Sequence, residues 1–238
     1  MKFAHKVFHL DKDVEREHFC ESMNDYIGRY SSELDTPTIE ISSGNDLENF
    51  YAGCNVRFTD TGYELNNRTG WRFGELGLWA SNIKAYTKFL ETDADFLILM
   101  EDDIEYFAGF YENLVRYMSQ LPEDWDVFFY FTPDNNNFDL SYSPSAADPD
   151  RIDVCKAYQD WSTLCYVINR GTAKKILDDI SDPIGFPLDR YFFKQPEKYV
   201  SYTVKTTSKQ YCRIARVRST FQHKQKREAL GGVGNRAG

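Results

Sequence analysis

No apolar run in the 238 residues approaches the roughly 20 that a membrane-spanning helix needs. The opening residues, Met1 to Lys6, lack the apolar stretch of a signal peptide, so the cytoplasm is the expected location. No CxxC pair occurs. The five cysteines (Cys20, Cys54, Cys155, Cys165 and Cys212) are odd in number and widely spaced, which indicates neither a disulfide framework nor a zinc site. A GxxxxGK[ST] loop is also missing, which argues against P-loop phosphotransfer. With a net charge of −9, a general affinity for nucleic acid or anionic membrane is not expected. Acidic residues are absent from Tyr199 to Arg227, where Lys205, Lys209, Arg213, Arg216, Arg218, Lys224, Lys226 and Arg227 all occur. That basic stretch either faces the phosphates of a ligand or is a solvated strand and helix face.

What is present is an ordinary globular composition with an excess of rings. The chain has 42% hydrophobic and 27% charged residues, with 16 Tyr and 18 Phe. Rings suit a carbohydrate-handling protein, and equally a well-filled core. The length suits one large α/β domain.

Several segments declare their structure. Strands are expected at Val7–Leu10, at Thr38 to Ile41, at Phe96–Met100, at Val127–Phe131, at Leu164–Ile168, and late at Val200–Val204 and Tyr211–Val217. Leu76, Trp79, Ile83, Tyr86 and Leu90 recur at spacings of three and four, predicting a helix from Glu75 to Leu90 with Trp79 in the core. Further helices are expected from Val14 to about Tyr30, around Phe107 to Met118, and after Asn169. Residues 42–74 read as loop with short elements, and 132–154 as a mobile loop near an acceptor site. The alternation of helix and strand predicts a sheet with parallel strands.

The junction at Met100 carries the chemistry. Five apolar residues, Phe96 to Met100, read as a strand buried on both faces, and they end abruptly in Glu101-Asp102-Asp103. Ligands of open α/β sheets gather at the carboxyl ends of strands. Three adjacent carboxylates there repel one another, and a divalent cation carrying a phosphorylated ligand would relieve the repulsion. The plain alternative is a solvated acidic cap.

Five stretches in register resemble glycosyltransferase family 25, which includes lipopolysaccharide and procollagen galactosyltransferases. Val7 to Arg16 (VFHLDKDVER) is similar to the family's "INLDRxxER", and Gly74 to Asn82 (GELGLWASN) to its "GEIGCxLSH". Leu97 to Asp103 (LILMEDD) is similar to "LILEDD", Cys165 to Ala173 (CYVINRGTA) to "AYLISRxGA", and Pro187-Leu188-Asp189 to "PVD". Together they span most of residues 5 to 195. Leu78 stands where the family has Cys, and Asn82 where it has His.

The resemblance implies an inverting glycosyltransferase of the GT-A type. The expected fold is α/β: a Rossmann-like mixed, mainly parallel sheet flanked by helices, in a single domain over 1–228 with a flexible C-terminal tail at 229–238. A hexose, galactose or glucose, would move from a nucleotide-diphosphate sugar such as UDP-hexose to a saccharide or glycan acceptor. Mn²⁺ or Mg²⁺ would stabilise the leaving diphosphate. Asp103 is the expected metal ligand, joined by Glu101 from the same strand face and by His223 in a "QH" segment like those of other GT-A enzymes. Asp102 points the other way and supports the donor site. Leu10, Asp11, Arg16, Ser81, Asn82 and Lys224 are the further donor-site candidates. Arg16 either holds phosphate or pairs with a neighbouring Glu on the helix surface. Asp189 is the first candidate for the base and otherwise a helix cap; Asp160 is the second. Two rival readings stand beside this one: a catalytically silent relative that binds sugar or nucleotide, and another metal-dependent phosphotransfer enzyme.

Overall fold

The computed structural model describes residues 1–54, 56–59, 71–131, 153–157, 163–180, 182–205 and 208–215. In chain order these form β1 (Phe3–Phe8), α1 (Val14–Ile27), β2 (Ser32–Glu33), α2 (Gly44–Cys54), α3 (Phe73–Leu90), β3 (Phe96–Glu101), β4 (Ile104–Tyr106), α4 (Phe110–Met118), β5 (Val127–Phe131), β6 (Val154–Lys156), β7 (Cys165–Asn169), α5 (Arg170–Asp179), α6 (Leu188–Tyr191), β8 (Ser201–Val204) and β9 (Cys212–Ile214).

Seven strands make one sheet in the order β2-β1-β3-β7-β5-β8-β6, and β4 pairs with β9 in a separate ribbon. β1 runs parallel to β2 and β3, and β5 parallel to β8, whereas β7 and β6 run against their neighbours. Five strands therefore share one direction, giving a mixed, mainly parallel sheet in a single domain. The β1–β3 register runs from Phe3 opposite Phe96 to Phe8 opposite Glu101, so both strands end together. Antiparallel β7 lies between β3 and β5 and brings Leu164, the residue before its start, to the end of β3, where Glu101 N donates to Leu164 O at 2.9 Å.

The apolar runs follow from burial on both faces. Along β3, Leu97 and Leu99 pack with α3, α5 and α6 (Trp79, Tyr86, Ile176, Leu188), while Ile98 and Met100 pack with α1 and α4 (Met23, Ile27, Leu114, Tyr117). Trp79 is fully buried, as its place on the apolar stripe predicts. No described helix is long and apolar enough to cross a membrane.

Three local differences have physical causes. Thr38 to Ile41 is not a strand: the edge of β1 pairs with β2 instead, and the segment is held by bonds that each use one side chain, with the His9 backbone N donating to Thr38 Oγ1 (3.0 Å) and Ile39 N to Ser81 Oγ (2.7 Å). Gly77 permits that approach, since a Cβ there would lie 2.8 Å from Ile39 O. The helix expected from Phe107 begins at Phe110, because Gly109 breaks the turn at φ +86°. Helix α2 fills part of the stretch expected to be mainly loop.

Candidate active site

The acidic triplet closes β3 and opens the turn into β4. Strand parity carries Glu101 to the face shared by Leu97 and Leu99, under α3 and α6. Its Oε1 accepts from Thr163 Oγ1 at 3.0 Å, a contact created by the antiparallel entry of β7. Burial pushes the Glu101 carboxyl up to about 8, and the charges of Asp103, Asp102 and Asp189 push the same way against the Thr163 hydrogen bond. Asp189, more than 80 residues away in sequence, is thus within electrostatic reach of Glu101.

Asp189 lies in the first turn of α6, and Pro187, not Asp189, is the cap. Trp79 Nε1 donates to Phe186 O at 2.9 Å, and Tyr191 meets the Trp79 ring edge-on at 4.8 Å. Helix α3 thereby anchors the segment that presents Asp189.

Asp102 turns the other way, toward α1. It is 6% exposed and accepts from Arg16 Nη1 at 2.5 Å, with His9 Nδ1 at 3.0 Å from its second oxygen. Arg16 is itself buried, and also lies 3.6 Å from Asp103 and 3.6 Å from Asp13. Its ion pairs include these aspartates. One guanidinium thus faces most of the triplet's charge. Asp103 keeps a raised carboxyl: burial is the main cause, Asp102 adds to it, and Arg16 opposes it. Asp103 Oδ1 is buried and has no hydrogen-bond partner among the described residues. The Asp103 carbonyl accepts from Ala215 N at 2.6 Å, so β9 ends beside the acidic turn.

The other candidates fall in three sets. Leu10 and Asp11 form the turn after β1, at the same end of the sheet, with Leu10 O accepting from Asp13 N at 2.7 Å. Ser81 and Asn82 are buried in α3. Ser81 receives Ile39 N; Asn82 Nδ2 donates to Leu78 O at 2.9 Å, and its Oδ1 accepts from Tyr166 Oη at 2.5 Å. Asp160, His223 and Lys224 lie outside the described residues, as do the tail at 229–238 and most of the loop expected at 132–154. Sequence reasoning missed His9 and Thr163. The β1–β3 register places His9 beside Asp102, but only once the strands are known to pair in parallel.

No family model and no curated protein matches this chain. Solved structures similar to it include a glycosyltransferase involved in glycosylation of the major capsid of PBCV-1 (7% identity, 88% of this chain and 95% of that one, TM-score 0.38). A Drosophila galactosyltransferase 7 mutant in complex with manganese, UDP-Gal and xylobiose aligns at 9% identity over 94% of this chain and 73% of that one, with TM-score 0.35. Mouse xyloside xylosyltransferase 1, in its apo form, aligns at 6% identity over 96% and 91%, with TM-score 0.40. All three neighbours are glycosyltransferases, and the overlap with each is loose.

Proposed function

We propose that this chain is a metal-dependent, inverting glycosyltransferase that moves a hexose, galactose or glucose, from a UDP-type nucleotide sugar to a glycan acceptor. The observation that carries this reading is the position of Glu101, Asp102 and Asp103 at the shared end of β1 and β3, with a buried Asp103 oxygen lacking a hydrogen bond among the described residues. Buried carboxylates of one sign fit a hard divalent cation. Among the described residues no group of three His, Cys, Asp or Glu side chains is arranged for a metal. Mn²⁺ or Mg²⁺ would be held by Asp103 and Glu101, with His223 and the donor diphosphate supplying further ligands. Bound there, the ion supplies Lewis-acid stabilisation of the leaving diphosphate.

The chain's own residues do the rest. Arg16 fixes Asp102 and steadies Asp103 without leaving the protein interior. Leu10 and Asp11 border the nucleotide, and Lys224 meets the diphosphate. Asp189 takes the proton from the acceptor hydroxyl as its oxygen attacks the anomeric carbon and the bond to the diphosphate breaks; Asp160 is the alternative base. The catalytic unit is assigned to 1–228, with 229–238 outside it.

Calorimetric titration of a nucleotide-sugar panel, with Mn²⁺ and then EDTA, tests the reading. Metal-dependent binding of one donor is expected, and Asp103→Asn should abolish it in a folded protein. Absence of binding by any donor in either condition would refute the proposal. Donor binding without turnover on any acceptor would favour the silent relative.

A further inference from the structure

A second concave surface lies away from the acidic turn, between α1 and β4. Two adjoining shallow cavities of about 470 and 310 Å³, both open to solvent, share His18, Ser22 and Tyr106. Helix α1 lines the larger cavity with His18, Glu21, Ser22, Asp25 and Tyr26, and Arg29 follows just beyond the end of the helix.

The apolar part of the lining is a pair of rings held in place. Tyr26 and Tyr106 stack with centroids 4.6 Å apart and planes 21° apart. Tyr106 Oη donates to Ser22 O at 3.1 Å and lies 3.0 Å from Ser22 Oγ. Tyr26 Oη accepts from Tyr111 N at 3.5 Å. Rings fixed in this way bind without a further loss of rotamer freedom.

The polar part is of mixed sign. Asp25 and Arg29 are both exposed, one turn apart, with His18 at the other end. A polyanion would meet Asp25 and the neighbouring Glu21, and a polycation would meet Arg29. A neutral chain of hydroxyls satisfies both, since each hydroxyl donates to a carboxylate or accepts from a guanidinium. Sugar C–H faces also pack on tyrosine rings. We propose that this groove binds a neutral oligosaccharide segment, an ancillary glycan subsite formed by α1 and β4.

The groove is joined to the acidic turn along the chain. Ile104, which lines the smaller cavity, directly follows Asp103. Arg16, which holds Asp102, lies two residues before His18 on the same helix. The role as a subsite for the acceptor glycan rests on the glycosyltransferase reading, whereas saccharide binding itself does not.

The test is NMR titration with gluco-, galacto- and N-acetylglucosamine oligosaccharides at up to about 10 mM, without metal or nucleotide. Expected are shifts at Tyr26 and Tyr106, and at least fivefold weaker binding by Tyr106→Ala and by Asp25→Ala. The exposed Asp25 variant decides the matter if Tyr106→Ala does not fold. No binding by any saccharide, or equal binding by a folded variant, would overturn the proposal. Donor binding by calorimetry is measured on the same samples. Saccharide binding without donor binding would leave the groove standing and remove the transferase; donor binding with an inert groove would do the reverse.

Discussion

Glu101→Gln tests the central electrostatic feature, a carboxyl held in the core by the fold at an energetic cost. Glu101 titrates near 8 in place of 4.5. Between those values the folded protein keeps a proton that the unfolded chain has lost. Stability from this group is therefore fully present below about pH 4.5 and declines as pH rises through about 8. At about 1.4 kcal/mol per pH unit, the interval corresponds to a ceiling of about 5 kcal/mol. The carboxyl is enclosed while part of the residue reaches solvent, and the screening this allows lowers the expected loss to about 2–3 kcal/mol.

The amide keeps an acceptor for Thr163 and cannot ionise. In EDTA, urea unfolding of wild type should lose about 2–3 kcal/mol more than the variant between pH 5 and pH 8.5. Asp103, shifted in the same direction, leaves the variant a residual slope. Added Mn²⁺ should restore wild-type stability at pH 8.5 by mass action and leave the variant nearly unchanged. Parallel pH profiles for the two proteins, or a variant less stable than wild type at pH 8.5, would refute the reasoning.

Removing Arg16 strands a buried Asp102, so Arg16→Ala should cost about 3–5 kcal/mol in chemical denaturation, and Arg16→Met with Asp102→Leu should recover most of it. Asp189→Asn should bind the donor like wild type yet lose transfer by about 10²-fold or more in a coupled assay, and unaltered transfer would move the base elsewhere. Trp79→Phe deletes the bond to Phe186 O and should cost about 1 kcal/mol in thermal unfolding while lowering transfer more than donor affinity. Gly77→Ala drives a Cβ to 2.8 Å from Ile39 O and should destabilise by about 1–3 kcal/mol; a neutral result would show that residues 38–41 can move away freely.

The strands at Phe96, Val127 and Cys165 were legible because helices or the β4–β9 ribbon cover both faces of the sheet, which turns a strand into a continuous apolar run. Helix α3 was legible from its period. The direction of β7 was not, since a run buried on both faces carries no record of polarity, and with it went the contact of Thr163 with Glu101. In α2, Leu47, Phe50, Tyr51 and Cys54 do recur at three and four, but Gly44 and Gly53 at its ends obscure the pattern. Thr38 to Ile41 alternates like a strand and lacks a partner edge, a tertiary fact.

At the site, the local motif located the charges but not what opposes them. Glu101, Asp102 and Asp103 are adjacent in sequence, so their gathering needed no fold. Arg16 reaches Asp102 across 86 residues, and only the parallel register of β1 with β3 brings them together. That register also divides the triplet's work: Asp102 is satisfied by Arg16 and His9 on the α1 side, while Glu101 remains buried near Asp103 and Asp189. A merely structural acidic cap would be solvated, or paired along its whole length. Here the buried Arg16 is spent chiefly on Asp102, and the raised carboxyls of Glu101 and Asp103 are where a ligand of opposite charge would gain most.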